Sequence, residues 1–250
     1  MHKRPVFISC ILLILVCFGG NVAAELSPRE ILERADEFRG RINGVGISSE
    51  VTLHSEDDGN KSDMVVLVLW KGFDVLATTL SPDKAKGNKT LVVNGNTWFY
   101  KPGLSRPVAV SQRQKLMGQA VYADIAGTNY ANDYDASLTT QEEVDNEMCN
   151  VFYLKAKTPK ATYDRIRYWV SEKRFVGVKA DYITISGMVF KSATMKYDNH
   201  VNIDGKTIPL ISSILIWDTL IPRNRTTLTL EGVKIVDIPD TAFDVNSLKK

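Results

Sequence analysis

Leu91-Val92-Val93-Asn94-Gly95-Asn96-Thr97-Trp98-Phe99-Tyr100 decides how the rest of the chain is read. Two β-prone arms flank Asn-Gly, the pair that most readily takes positive φ at both central positions of a tight hairpin turn. A two-residue turn at Asn94-Gly95 sets Val93 opposite Asn96 and Leu91 opposite Trp98, so Leu91, Val93, Trp98 and Tyr100 share one apolar, aromatic face. After it, Lys101-Pro102-Gly103 reads as a turn and Arg106 to Val110 as a short extended run. Ser111 to Gly118 reads as a capped polar helix turn carrying Leu116 and Met117. A strand hands the chain to a candidate lid.

Upstream, Ser27-Pro28-Arg29-Glu30 is a capping box that starts a helix, with Leu26 and Ile31 placed as its hydrophobic staple. Ile31, Leu32, Ala35 and Phe38 recur at helical spacing, and Gly40 stops the helix. That apolar stripe is read as a core-packing face. From Val45 the period becomes two: Val45, Ile47, Ser49, Val51 and Leu53 share a face, Glu56 to Asn60 turns the chain, and Met64 to Trp70 is apolar on both faces. Phe73 to Thr79 is the next strand of an antiparallel meander.

Downstream, Gln119 to Tyr130 reads as helix or as loop, with Gly127 its weak point. Tyr134–Leu138 and Cys149–Leu154 are strands, separated by a turn around Asp145-Asn146. Thr162 to Val170 reads as a strand with Tyr163, Arg165, Arg167 and Trp169 on one face. Those side chains could hold an anionic head group, but an outer sheet face on which guanidinium groups cover rings is the simpler reading. Ser186-Gly187 and Asp204-Gly205 mark two more hairpins, the first pairing Ile183 with Phe190, the second Ile203 with Lys206 and Val201 with Ile208. Pro209 to Trp217 and Thr226 to Val236 are the last long strands, and Phe243 is the one aromatic anchor of the terminal segment. About ten strands and two or three helices predict an α+β domain built on an antiparallel sheet long enough to curl.

Met1 to Ala24 stands outside this fold. Lys3 and Arg4 precede an apolar run, Val6 to Gly20, and Val22-Ala23-Ala24 ends in small residues, so the segment is expected to be a secretory signal cleaved after Ala24. The run is shorter than the ~20 residues a membrane span needs. Residues 25–250 are then a single domain, with no internal linker. Subtracting Lys3 and Arg4 from 31 basic residues leaves 29, against 29 acidic. This balance gives no electrostatic reason to expect nucleic acid as a partner. Cys10 and Cys17 leave with the signal, so Cys149 has no internal disulfide partner and is read as a buried small hydrophobe.

The search for chemistry is negative. His54 and His200 lack a second histidine at ligand spacing, which argues against zinc. Gly46-Ile47-Ser48-Ser49-Glu50 lacks the second glycine of a nucleophile elbow, and no glycine loop cradles phosphate. The carboxylates of Asp57-Asp58 and Glu142-Glu143 are read as solvated turn charges. No catalytic residue, metal or cofactor is expected.

Several of these segments carry a resemblance: Ile31 to Asp36, Asn96-Thr97-Trp98-Phe99-Tyr100-Lys101-Pro102 with Arg106-Pro107, Gln114-Lys115-Leu116-Met117-Gly118-Gln119, Asn132-Asp133-Tyr134 and Tyr168-Trp169-Val170. Together with the signal, they make the chain similar to the outer-membrane lipoprotein-sorting proteins, the LolA/LolB-like periplasmic carriers. The resemblance implies a half-open antiparallel β-barrel closed by a few helices, a periplasmic location, no catalysis, and an apolar concave face that shields lipid or lipoprotein acyl chains. It also implies an envelope transporter or membrane acceptor as partner. Leu91, Val93, Trp98 and Tyr100 are then the expected pocket wall, and Leu116 and Met117 its lid. Burial is worth about 0.8 kcal/mol per methylene, so an acyl chain suits such a face. A filled core fits the same pattern, and a lipid-sensing or scaffold module that binds an envelope protein is the second reading.

Overall fold

The structure, a computed structural model, describes residues 26–249; the expected signal segment lies outside them. The chain begins with α1 (Pro28–Glu37), followed by strands β1 (Gly46–Asp57), β2 (Asn60–Lys71), β3 (Asp74–Ser81), β4 (Lys89–Val93), β5 (Asn96–Tyr100), β6 (Val108–Val110), β7 (Lys115–Met117) and β8 (Ala120–Val121). Two short helices follow, α2 (Tyr122–Ala126) and α3 (Tyr130–Asp133). The next strands are β9 (Tyr134–Val144), β10 (Glu147–Ala156), β11 (Arg165–Ser171), β12 (Gly177–Ile183) and β13 (Val189–Lys196). The last are β14 (Asn199–Ile203), β15 (Lys206–Leu210), β16 (Ser213–Asp218) and β17 (Arg225–Ile235). Two 3-10 turns, Asp240–Phe243 and Val245–Lys249, close the described chain.

Thirteen strands form one antiparallel sheet in the order β6-β5-β4-β3-β2-β1-β17-β16-β13-β12-β11-β10-β9. The first and last long strands, β1 and β17, meet in its middle, joining an N-terminal meander to a C-terminal one. The tight turns are made where the sequence supplies residues that tolerate positive φ: Asp58-Gly59, Asn94-Gly95 and Asp204-Gly205 all take it at both positions. Register follows. Leu91 faces Trp98 and Val93 faces Asn96, while Ile203 faces Lys206 and Val201 faces Ile208.

Helix α1 begins as its sequence requires, with the Ser27 side chain accepting from the Glu30 N–H and the Glu30 carboxylate accepting from the Ser27 N–H at 2.8 Å. It buries Ile31, Leu32 and Ala35 in the main core. In that core they join Ile47, Val51 and Leu53 of β1, Val66, Val68 and Trp70 of β2, and Ile166, Tyr168 and Val170 of β11.

Six expectations are corrected. Seventeen strands stand among the described residues rather than about ten, and β7 and β8 are too short to show a period. Ser111 to Gly118 is not a helix turn: the Gln114 N–H bonds the Ser111 carbonyl, after which Lys115 to Met117 pair with β8, so tertiary pairing overrides local propensity. The Ser186-Gly187 hairpin is wider than two residues. Thr184 binds Met188 through both its N–H and its hydroxyl, making a bulge that places Ile183 opposite Val189. Strand β11 starts only at Arg165, so Tyr163 turns inward, its N–H donating to the Tyr134 hydroxyl. Glu142 and Glu143 lie within β9 rather than in a turn, and Glu142 accepts from Arg167 and from Trp169 Nε1. Pro209 to Trp217 is likewise not one strand, being interrupted between β15 and β16.

Candidate functional site

Helix α2 is the element around which the candidate site is built. Asp124 reaches back to accept from the Val121 N–H at 2.8 Å, fixing the first turn. Gly127 ends the helix at φ +81°, where a side chain would be strained and a Cβ would run into the Arg41 guanidinium. Asn129 then caps α3 by accepting from the Asn132 N–H. Helix α1 grips this connection from one side: Arg39 donates to the Thr128 carbonyl at 2.9 Å, and the Asp36 carboxylate accepts from the Ala131 N–H at 3.1 Å.

From the sheet side, Lys191 of β13 reaches the same helix. Its ammonium donates to the Tyr163 hydroxyl at 2.5 Å and the Gln119 carbonyl at 3.2 Å, and lies 3.5 Å from the Asp124 carboxylate. The Tyr163 hydroxyl donates to Asp124 at 3.0 Å. Both ends of this ion pair are 5 % exposed. Tyr163 stacks on Tyr182 at 3.9 Å, so the polar cluster is walled by rings.

An apolar crevice lies on each side of α2. The first runs between Val75, Val92, Leu116, Tyr122 and Ile125. The second is lined by Arg39, Arg41, Trp70, Ile125, Leu228 and Leu230. Ile125 belongs to both, and each holds about 20 Å³ of free space, room for roughly one water molecule. Closed in this way, neither crevice has room for an acyl chain.

Burial dominates the electrostatics. It raises the Asp36 carboxyl to about 6, against the pull of Arg39, the Ala131 N–H and Arg41. Burial, and then the neighbouring Arg39, lowers Arg41 to about 9, which leaves it cationic at neutral pH. Tyr163 is pushed well above its ordinary value by burial and then by Asp124. Among the described residues no group of three His, Cys, Asp or Glu side chains comes together as a metal site, and no helix is long and apolar enough to cross a membrane.

The six residues expected to form a pocket and its lid are divided between two places. Leu91, Val93, Trp98 and Tyr100 do share a face, but that face packs against Ile238, Phe243 and Leu248 of the C-terminal segment. Leu116 and Met117 pack against the main core on the other side of the sheet, where Leu116 lines the first crevice. From β4 the crevice takes Thr90 and Val92, the alternate residues of the same strand. The sequence reading left the α2 segment open between helix and loop and did not assign it, Val92, Trp70 or the Asp124-Lys191 pair to a site. Consecutive Val92-Val93 was the available signal, since it announces a strand buried on both faces.

On this geometry the comparisons with known proteins can be set. Residues 74–250 match the model of a family described as "Uncharacterized protein". A search of curated protein sequences returns no significant match. Among solved structures, a LolA superfamily protein from Nitrosomonas europaea is similar at 28% identity and a TM-score of 0.76, covering 88% of this chain and 98% of its own. A DUF1329 family protein from Desulfovibrio piger is similar at 21% identity and a TM-score of 0.72, covering 88% and 97%. A Vibrio parahaemolyticus domain described as an outer membrane lipoprotein-sorting protein has 17% identity and a TM-score of 0.71 over 88% and 98%. At those identities the last two speak to the fold alone. The family model spans well over half of the chain, so the chain belongs to that DUF1329-like family, and its mostly antiparallel sheet with a few helices has a LolA-like fold.

Proposed function

We propose that the protein is a periplasmic carrier, a single lipoprotein-sorting-like domain spanning 25–250 that shields lipid or lipoprotein acyl chains on the inner face of a curled, half-open sheet. The observation that carries this reading is the pair of apolar crevices on either side of α2, joined at Ile125. A short helix standing between two such spaces is a plug: moving it merges them into one groove floored by β1 to β4 and β17. Support for the curl comes from the core, in which residues of β2 and β3 belong to the same cluster as residues of β12 and β13, far along the sheet order. Likeness of fold to a LolA superfamily protein adds support, since that fold suggests lipoprotein sorting or lipid carriage.

The reading gives the expected pocket residues separate roles. Leu116 and Met117 border the acyl site, while Leu91, Val93, Trp98 and Tyr100 hold the C-terminal segment against the outside of the same strands. No step of it calls for a catalytic group or a cofactor. Cargo would pass to a membrane acceptor or envelope transporter.

The test is to extract the purified protein and analyse the extract by mass spectrometry, and to titrate it with a fluorescent acyl probe. Near-stoichiometric lipid, or saturable probe uptake that lipid displaces, is the expected result. An empty protein that takes up no probe overturns the carrier.

A further inference from the structure

The second crevice is not uniformly apolar, and its unsatisfied buried polar atoms include two donors. Arg39 is 8 % exposed and Trp70 5 % exposed. Arg39 Nε and Trp70 Nε1 are buried hydrogen-bond donors with no acceptor. Buried donors are almost always satisfied, so two in one crevice call for an acceptor from outside the chain. The Arg41 guanidinium lines the same space, 6.0 Å from the centre of the Trp70 ring. One carboxylate, Asp124, also borders it, but that group already accepts from Val121 and Tyr163 and pairs with Lys191. Asp36 is engaged by Arg39 and by the Ala131 N–H. The next cleft, which Arg41 also lines, carries Glu33, Asp36 and Glu37, and these carboxylates make it less favourable for an anion than the crevice.

We infer that this crevice is a head-group subsite for an anionic acyl lipid, its carboxylate or phosphate oxygens accepting from Arg39 Nε and Trp70 Nε1 beside Arg41, its tail lying along Leu228, Leu230 and Ile125. The inference rests on the carrier reading and adds a polarity to it: the ligand enters with its charged end fixed and its chain in the groove that opens when α2 withdraws. Guanidinium groups suit this task because their donors match the spacing of carboxylate and phosphate oxygens. In a site of low dielectric such charge-assisted bonds discriminate strongly against a head that offers only a hydroxyl.

The experiment compares palmitate, hexadecyl phosphate and hexadecanol, equal in chain length, by displacement of a fluorescent acyl probe from the purified protein. One or both anions should bind at least tenfold more tightly than hexadecanol, and which of them does so identifies the head. Trp70→Phe keeps the ring and removes only the N–H, so it should narrow that gap severalfold. The same comparison in unaltered protein stands even if this variant folds poorly. Equal affinity for all three ligands overturns the subsite and leaves the carrier reading intact, the unpaired donors then being a hydration site only. A preference that survives Trp70→Phe unchanged also overturns it. Failure of every ligand, and of the probe, sinks the carrier reading itself.

Discussion

The two faces of the hairpin formed by β4 and β5 had opposite fates. On one, Leu91, Val93, Trp98 and Tyr100 pack against the terminal 3-10 turns, chiefly through apolar contacts, with Lys71 binding Asp240 at the edge. On the other, Thr90 and Val92 look onto a crevice closed by α2, a five-residue helix held by buried charges. The first closure rests on side chains that have nowhere else to go. The second combines the buried apolar side chains of Ala123 and Ile125 with the polar contacts of Asp124, and on the carrier reading it is the closure that opens.

The largest test of that difference is Lys191→Met. It strands the Asp124 carboxylate in the core, so the cost should be about 3–5 kcal/mol in urea unfolding. Lys191→Met combined with Asp124→Asn should recover a good part of it. If the double variant were as unstable as the single one, the pair would not be what holds α2.

Leu91→Ala and Leu116→Ala separate the faces directly. Leu91 is fully buried, and its truncation should cost about 3 kcal/mol while leaving acyl-probe affinity unchanged. Leu116, only half-buried, should cost about 1 kcal/mol and change probe affinity. In single-tryptophan variants, the probe should alter Trp70 emission and leave Trp98 emission as it was. The reverse pattern would place the ligand on the sealed face.

A third difference is in pH. Asp36 is raised in the folded protein from 3.8 to about 6. In the window between these values the unfolded chain has released this proton and the folded one retains it, so unfolding releases protons. The group's contribution is therefore greatest below pH 4, falls as pH rises to about 6, and is constant above it. The slope is at most about 1.4 kcal/mol per pH unit. Subtracting the profile of Asp36→Asn from that of the unaltered protein isolates it. Exposed paired carboxylates such as Glu56, lowered by Lys61 and Arg225, act with the opposite sign. A difference that rises with pH would refute the assignment.

The smallest effect belongs to Cys149, buried on the outer side with Val151 and Trp169. Burial, and then Glu147, raises its thiol to about 11, so alkylation at neutral pH should be slow. Cys149→Ser should cost about 1 kcal/mol and leave probe binding intact. Loss of binding in a folded variant would mean that the thiol has a role in the site.

The two-residue hairpins were legible because each turn is decided by the two residues within it, whereas the wider turn around Ser186-Gly187 was not. Asn94-Gly95 and Asp204-Gly205 therefore gave the observed register, and the capping box of α1 was equally local. Alternation along β4 was legible too, but it names two faces without saying which will be covered by what. That depends on Phe243 and Leu248, more than a hundred residues downstream, and on α2, whose five residues are too few to show a helical period. Helix α2 is held by Lys191 and Tyr163, distant in sequence, and such pairing leaves no local mark. Ser111 to Gly118 misled for a related reason. Its composition suits a helix turn, yet Gly118 must pass close against Ser55 and Thr226, an approach that only the absent side chain permits.

The buried Asp124-Lys191 pair gives the closure of α2 a characteristic temperature dependence. When the helix withdraws, water reaches both charges, and the hydration they had given up on folding is recovered. Opening thus exchanges one favourable state of the charges for another, rather than simply losing a contact. Hydration of ions weakens on warming, so the gain on opening shrinks as temperature rises. On the carrier reading, this contribution favours the shut position of α2 on warming, and a plug held by apolar contacts alone would lack it.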